Sequence, residues 1–147
     1  MFKTCTHLQH RTTMKSLALT FGIALLIGQQ KITPVDSGGN TEHGKYLVEN
    51  VAMCIQCHTP REENGDLALS RMLFGAPVPV SRPYPFQRWA EYAPRIAGLP
   101  QYTEEQMLKP LTPGIGRDGT PLRAPMPPFR LTQQDALDVV AYLKSLP

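Results

Sequence analysis

Cys54-Ile55-Gln56-Cys57-His58 constrains this chain more than any other segment. On a helical turn, residues at i, i+3 and i+4 share one face. Two thiols and an imidazole therefore converge on one small area. The order C-x-x-C-H is the one that covalent attachment of a c-type haem requires. Both sulfurs reach the vinyl edge of one porphyrin while His58 turns its ring towards the iron. A chain built around such a ring takes much of its apolar core from the cofactor.

Other chemistries fit these residues less well. A thioredoxin-like pair needs C-x-x-C beside a βαβ pattern, and no strand–helix alternation surrounds Cys54. A structural zinc site needs four ligands, and the third cysteine, Cys5, lies far upstream. Two structural cysteines beside an unrelated histidine would be a coincidence of scarce residue types. A Cys54–Cys57 disulfide stays open in an oxidising compartment.

Residues 1–30 read as export rather than fold. Lys3, Arg11 and Lys15 form a positive region without an acid, and Leu17 to Gly28 is a 12-residue apolar run. That run is shorter than the ~20 residues of a spanning helix. The expectation is a signal peptide or an N-terminal anchor over 1–30, with the true start at Met14 and a membrane tether through 17–28 as the anchored form. Removing 1–28 takes away three basic residues, so 12 basic residues face 12 acidic ones in the remainder. Nucleic-acid binding has no support in that balance, and partner steering would rest on local patches.

The exported part is short enough for one domain, over 41–147, behind a flexible leader at 31–40. Fifteen prolines and 11 glycines in 147 residues argue for long loops between a few helices. Asn40 or Thr41 caps a predicted helix over 42–53. Gly44, Leu47, Val48, Val51, Cys54 and Ile55 make its apolar stripe and lead into the motif. Short helical turns are expected at 67–74 and 86–92. Thr103-Glu104-Glu105-Gln106 is a capping box that opens a helix over 104–109, curtailed by Pro110. Thr132, with Asp135 three residues on, caps a last helix whose stripe is Ala136, Val139, Val140, Leu143 and Leu146. No β alternation stands out, and the class is all-α, with three to five short helices.

A haem iron takes a second axial ligand, and thioether sulfur opposite histidine closes the site and raises its potential. Met72 and Met107 sit where core packing explains them. Met126 lies in Ala124-Pro125-Met126-Pro127-Pro128-Phe129, where three prolines remove backbone freedom. That segment can hold one side chain against a metal at little further entropy cost. Met126 is therefore the expected distal ligand. His43, on the helix that carries the motif, would have to reach around the ring, and is expected to be solvated. Trp89, Tyr84, Tyr92, Tyr102, Arg88 and Arg95 are candidate hydrogen-bonders to the haem propionates.

With these residues placed, the chain resembles a class I c-type cytochrome. The matches are Gly44-Lys45-Tyr46-Leu47 before the motif, Cys54-x-x-Cys57-His58, the Gly116-x-x-Gly119 loop leading to Met126-Pro127, and the closing Ala141-Tyr142-Leu143 helix. The resemblance implies that the first and last helices cross, with Gly44 small enough for Tyr142 to pack over it. It also implies one haem c held by Cys54 and Cys57, with His58 and Met126 on the iron, and electron transfer between protein redox partners in the periplasm. A monomeric carrier that is not an enzyme is the first reading. A cytochrome subunit of a larger periplasmic dehydrogenase or terminal-oxidase complex is the alternative. A haem enzyme such as a peroxidase needs an open distal site, against which the proline-clamped methionine argues. The stretch Arg61–Pro100 carries least of the resemblance: a lid, a docking surface and a partner-specific loop are all compatible with it.

Overall fold

The computed structural model describes residues 38–147. The expectations for a signal, anchor or start within 1–30, and for 31–37 of the leader, lie outside the described residues. Gly39 and Asn40 are already packed on the last helix: a Cβ on Gly39 would stand 2.2 Å from the Leu137 carbonyl oxygen, and the Asn40 N–H donates to Asp138 at 2.7 Å. The flexible leader expected to Asn40 thus gives way to ordered chain by Gly39.

Asn40 starts the first helix. Its side-chain oxygen accepts from the His43 N–H at 3.0 Å, capping α1, Thr41–Tyr46. The straight helix predicted over 42–53 is not formed. The backbone widens into a π-turn at Leu47–Val51, where the Ala52 N–H bonds the Leu47 carbonyl at 2.7 Å. An extra residue in the turn rotates the later residues about the helix axis. Leu47 and Val48 stay buried, whereas Val51, on the predicted stripe, is 55% exposed. Met53 then takes φ 50°, and the attachment motif occupies a separate turn, α2, Ile55–His58.

The last helix, α4, Gln133–Ser145, begins where predicted, with Thr132 Oγ1 accepting the Asp135 N–H at 3.1 Å. It packs on α1 at Gly44, where a Cβ would lie 1.9 Å from the Asp138 carbonyl oxygen and 2.9 Å from Tyr142 Cβ. Only hydrogen fits. The approach lets Val48 share one core with Val139, Val140 and Leu143, each contributing about 1.5–3 kcal/mol by burial.

Polar contacts lock the same junction. Asp138 is buried on α4 and accepts from His43 Nδ1 at 2.7 Å, Gln134 Nε2 at 2.8 Å and the Asn40 N–H. His43 stays exposed, as expected, and its ring also partners a buried carboxylate; an unpaired carboxylate at this place would be costly. One turn on, the Tyr142 hydroxyl donates to Glu49 of the π-turn.

Between these ends the chain meets one expectation and departs from two, at 86–92 and at Pro110. A single 3-10 turn, Leu69–Arg71, is the short helical turn expected at 67–74. At 86–92 no helix forms: a turn closed by the Gln87 N–H on the Tyr84 carbonyl gives way to extended chain, where the Ala90 N–H bonds the Ala124 carbonyl at 2.7 Å. That extended chain ends in β2, Tyr92–Ala93, which pairs antiparallel with β1, Ala76–Pro77, in the register Ala76↔Ala93. The capping box forms at Thr103 and Gln106, and α3, Glu104–Leu111, runs through Pro110 instead of stopping before it. Pro110 forfeits the N–H that would bond the Gln106 carbonyl, and Thr112 closes the end through its N–H and hydroxyl, both to the Leu108 carbonyl at 2.9 and 2.8 Å. Among the described residues the fold is all-α, four short α-helices with one two-stranded sheet. Among the described residues no helix is long and apolar enough to cross a membrane.

Candidate cofactor site

His58 is held twice by the small sheet. Its carbonyl accepts the Gly75 N–H at 2.8 Å, and its Nδ1 donates to the Pro94 carbonyl at 2.8 Å. Gly75 precedes β1 and Pro94 follows β2, so the pairing of Ala76 with Ala93 brings both groups to one residue. Gly75 has φ 88°, and a Cβ there would press to 2.7 Å on the Arg95 nitrogen, so glycine is required on both counts. With Nδ1–H committed to a carbonyl, Nε2 keeps its lone pair. Burial lowers the His58 pKa, against the opposing effect of the Pro94 bond, and favours the neutral ring that a metal binds.

Cys54 and Cys57 are half-buried free thiols on and beside the same turn. Burial pushes the Cys54 thiol up to about 11. Dithiol exchange enzymes hold their nucleophile well below the ordinary value, so the thioredoxin-like reading loses ground here.

Met126 stands in a turn closed by its own N–H to the Arg123 carbonyl at 3.2 Å. This loop is tied to the sheet segment. Trp89 bridges Ala124 in parallel, beside the Ala90–Ala124 hydrogen bond, and Arg88 reaches Thr120 Oγ1 at 3.4 Å. The segment 76–94 is thus a strap that holds His58 at its base and the Met126 loop along its side. That is the structural part played by a stretch whose role the sequence leaves open.

Cys54, Cys57, His58 and Met126 line one cavity of about 320 Å³, within the size range of cofactor sites. Met107, buried on α3, and Met53 also line it. Among the described residues, its charged lining residues are Arg117 and Arg123, and no carboxylate lines it. An apolar cavity with two guanidinium groups suits a flat apolar ring that bears carboxylate arms. Trp89, next to the lining residue Ala90, has a buried Nε1–H with no protein partner, a donor that an acceptor on the cofactor would satisfy. The residues present fit a covalently held haem.

Of the polar residues singled out from sequence, Tyr92 and Tyr102 line the cavity, whereas Trp89, Tyr84, Arg88 and Arg95 do not. Arg95 lies over the Phe74 ring at 4.0 Å and donates to the Ala97 and Pro147 carbonyls. Sequence reasoning misses Arg117 and Arg123. Their one signal in the sequence is their place in the loop that leads to Met126.

A family model of cytochrome c matches residues 41–147, from α1 to the last residue. The chain belongs to the cytochrome c family. This cytochrome is also similar to a diheme cytochrome c-type protein of Cereibacter sphaeroides (strain ATCC 17023), at 36% identity over 74 residues. The match covers 45% of the cytochrome and 25% of the relative, so it spans about a quarter of that protein's length. Family membership makes covalent haem c the group that fits the cavity, and Cys54 and Cys57 fit its attachment.

Proposed function

We propose that this cytochrome carries single electrons between protein partners in the periplasm, through one haem c with His58 Nε2 and Met126 sulfur as iron ligands. When bound, the haem supplies a one-electron iron couple. The observation that carries the reading is the convergence of a tautomer-fixed His58 and a proline-clamped Met126 on one cavity. The Pro94 carbonyl orients the imidazole, and Pro125, Pro127 and Pro128 limit motion of the sulfur. A site so held changes little when the charge on its metal changes. Met107 is the rival sulfur. It belongs to the buried core on a regular helix, where packing accounts for it.

One C-x-x-C-H among three cysteines supports a single covalent haem. The basic and apolar segment before Gly28 supports export. Besides His58, the lining residues include no second histidine, aspartate or glutamate, which supports a carrier over an enzyme that moves protons at a substrate. The alternative, a subunit of a larger periplasmic dehydrogenase or terminal-oxidase complex, uses the same site. It gains support from the apolar side chains exposed on the strap. Mass spectrometry and potentiometry of the exported protein test the proposal. One haem mass above the polypeptide, a weak long-wavelength sulfur-to-iron band and a reversible one-electron titration are expected. A colourless product, or rapid carbon monoxide binding by the wild type, would overturn it.

A further inference from the structure

Eight large apolar side chains are exposed among the described residues, and four of them, Val80, Tyr84, Phe86 and Tyr92, fall in the 15 residues 78–92. Tyr84 is 71% and Phe86 100% exposed. Leaving an aromatic ring wholly in water forfeits burial that the core could have used, and clustered exposure of this kind marks interaction surfaces. The loop is also stiff. Pro79, Pro83 and Pro85 restrict its backbone, the Gln87 N–H closes a turn on the Tyr84 carbonyl at 3.1 Å, and Arg82 spans its base to Glu91 at 2.9 Å.

We propose that the Tyr84–Phe86 tip is the docking element for the redox partner, and that it enters an apolar pocket on a protein. The inference rests on the electron-carrier reading and names how the partner is recognised. Continuity with the site places the partner there. The base of the loop, Val78, Ala90 and Tyr92, lines the haem cavity, so a partner seated on the tip covers the edge where electrons leave. Tyr92 is both exposed and cavity-lining, and links the two.

The charges around the tip select the occupant. Arg82 is neutralised by Glu91, and Arg88 lies beside Asp118, whose carboxyl is held below its ordinary value chiefly by Thr120 and in smaller part by Arg88. Lys109 and Lys144 pair with Glu105 and Glu104, and of the two arginines that line the cavity, Arg117 lies over the Tyr102 ring and donates to the Gln101 carbonyl. With 12 charges of each sign after residue 28, attraction to an anionic bilayer is weak. Membrane-surface elements carry clusters of Lys and Arg, whereas residues 78–92 hold two arginines and one glutamate. Aromatic side chains set rigidly among prolines and arginines are instead what the cores of protein interfaces hold. Recognition at the tip is therefore apolar, and only weakly dependent on salt.

The test uses the haem-loaded protein with washed membranes and periplasmic extract of its native cell as electron partner. Phe86→Ser and Tyr84→Ser should raise the KM for turnover by about tenfold or more, as loss of an interface anchor does. The maximal rate, the visible spectrum and the rate with ferricyanide should stay as in the wild type. The wild-type KM should change less than about twofold up to ~0.2 M salt. An unchanged KM in both variants overturns the docking role while a reversible titration leaves the carrier reading standing. A carrier that titrates reversibly yet is turned over by neither fraction overturns it too. Co-sedimentation of the wild type, but not Phe86→Ser, with phosphatidylglycerol vesicles would make the tip a membrane element and overturn the protein partner.

Discussion

Nδ1 of His58 donates to the carbonyl oxygen of Pro94 at 2.8 Å, across 36 residues of chain. One hydrogen bond thus decides which imidazole nitrogen is free for a metal. It is made by the residue just after β2, and it depends on the two-residue sheet that places β2 beside β1. The same sheet leads through Ala90 to Ala124 and the Met126 loop, so both sides of the cavity are referred to a single short scaffold.

Gly75 is where that scaffold is most easily broken. Gly75→Ala would place a methyl group against the Arg95 nitrogen at a φ of 88°, at a cost of about 2 kcal/mol. The melting temperature of the haem-loaded protein, tracked by visible absorbance and circular dichroism, should fall by roughly 5–15 °C. A melting curve unchanged by the substitution would show that the sheet does not brace His58.

Met126 and Met107 both line the cavity, and substitution separates them. Met126→Ala should abolish the sulfur-to-iron band, lower the reduction potential and admit carbon monoxide. Met107→Leu should keep the band and cost less than about 1.5 kcal/mol, as volume-conserving core changes do. The opposite pattern would move the ligand to α3.

Gly44→Ala tests the packing of α1 on α4. The added carbon would lie 1.9 Å from the Asp138 carbonyl oxygen, with backbone on one side and Tyr142 on the other. Overpacking without a flexible neighbour should cost about 3 kcal/mol, measured by urea unfolding, and lower the yield of haem-loaded protein.

Acid should loosen the same junction. Burial raises the Asp138 pKa, but hydrogen bonds from His43, the Asn40 N–H and Gln134 outweigh it and hold the carboxyl below its ordinary value. A carboxylate depressed in the folded state stabilises fully above its unfolded value of about 3.9 and loses that contribution as pH falls through the folded value. Asp138→Asn should therefore be less stable than wild type at pH 7, with the gap closing below about pH 4. Urea midpoints of both proteins across this range check it. A gap that persists unchanged to pH 2 would assign the effect to packing alone.

Sequence by itself determined the features that live within a few residues of one another: the C-x-x-C-H turn, the Thr103 and Thr132 caps, a cap at Asn40 or Thr41, the stripe of α4, and the family to which they belong. Each depends on local spacing, which a helix converts directly into a shared face. Only the tertiary structure decided the π-turn that expels Val51, the pairing of His43 with Asp138 across 95 residues, and the strap that joins Pro94 and Ala124 to the cavity. These depend on which distant carbonyl or carboxylate meets a given N–H, and no local periodicity encodes that meeting. Arg117 and Arg123 belong to the second kind. In the sequence they are two more loop arginines, and only folding brings both to one cavity wall.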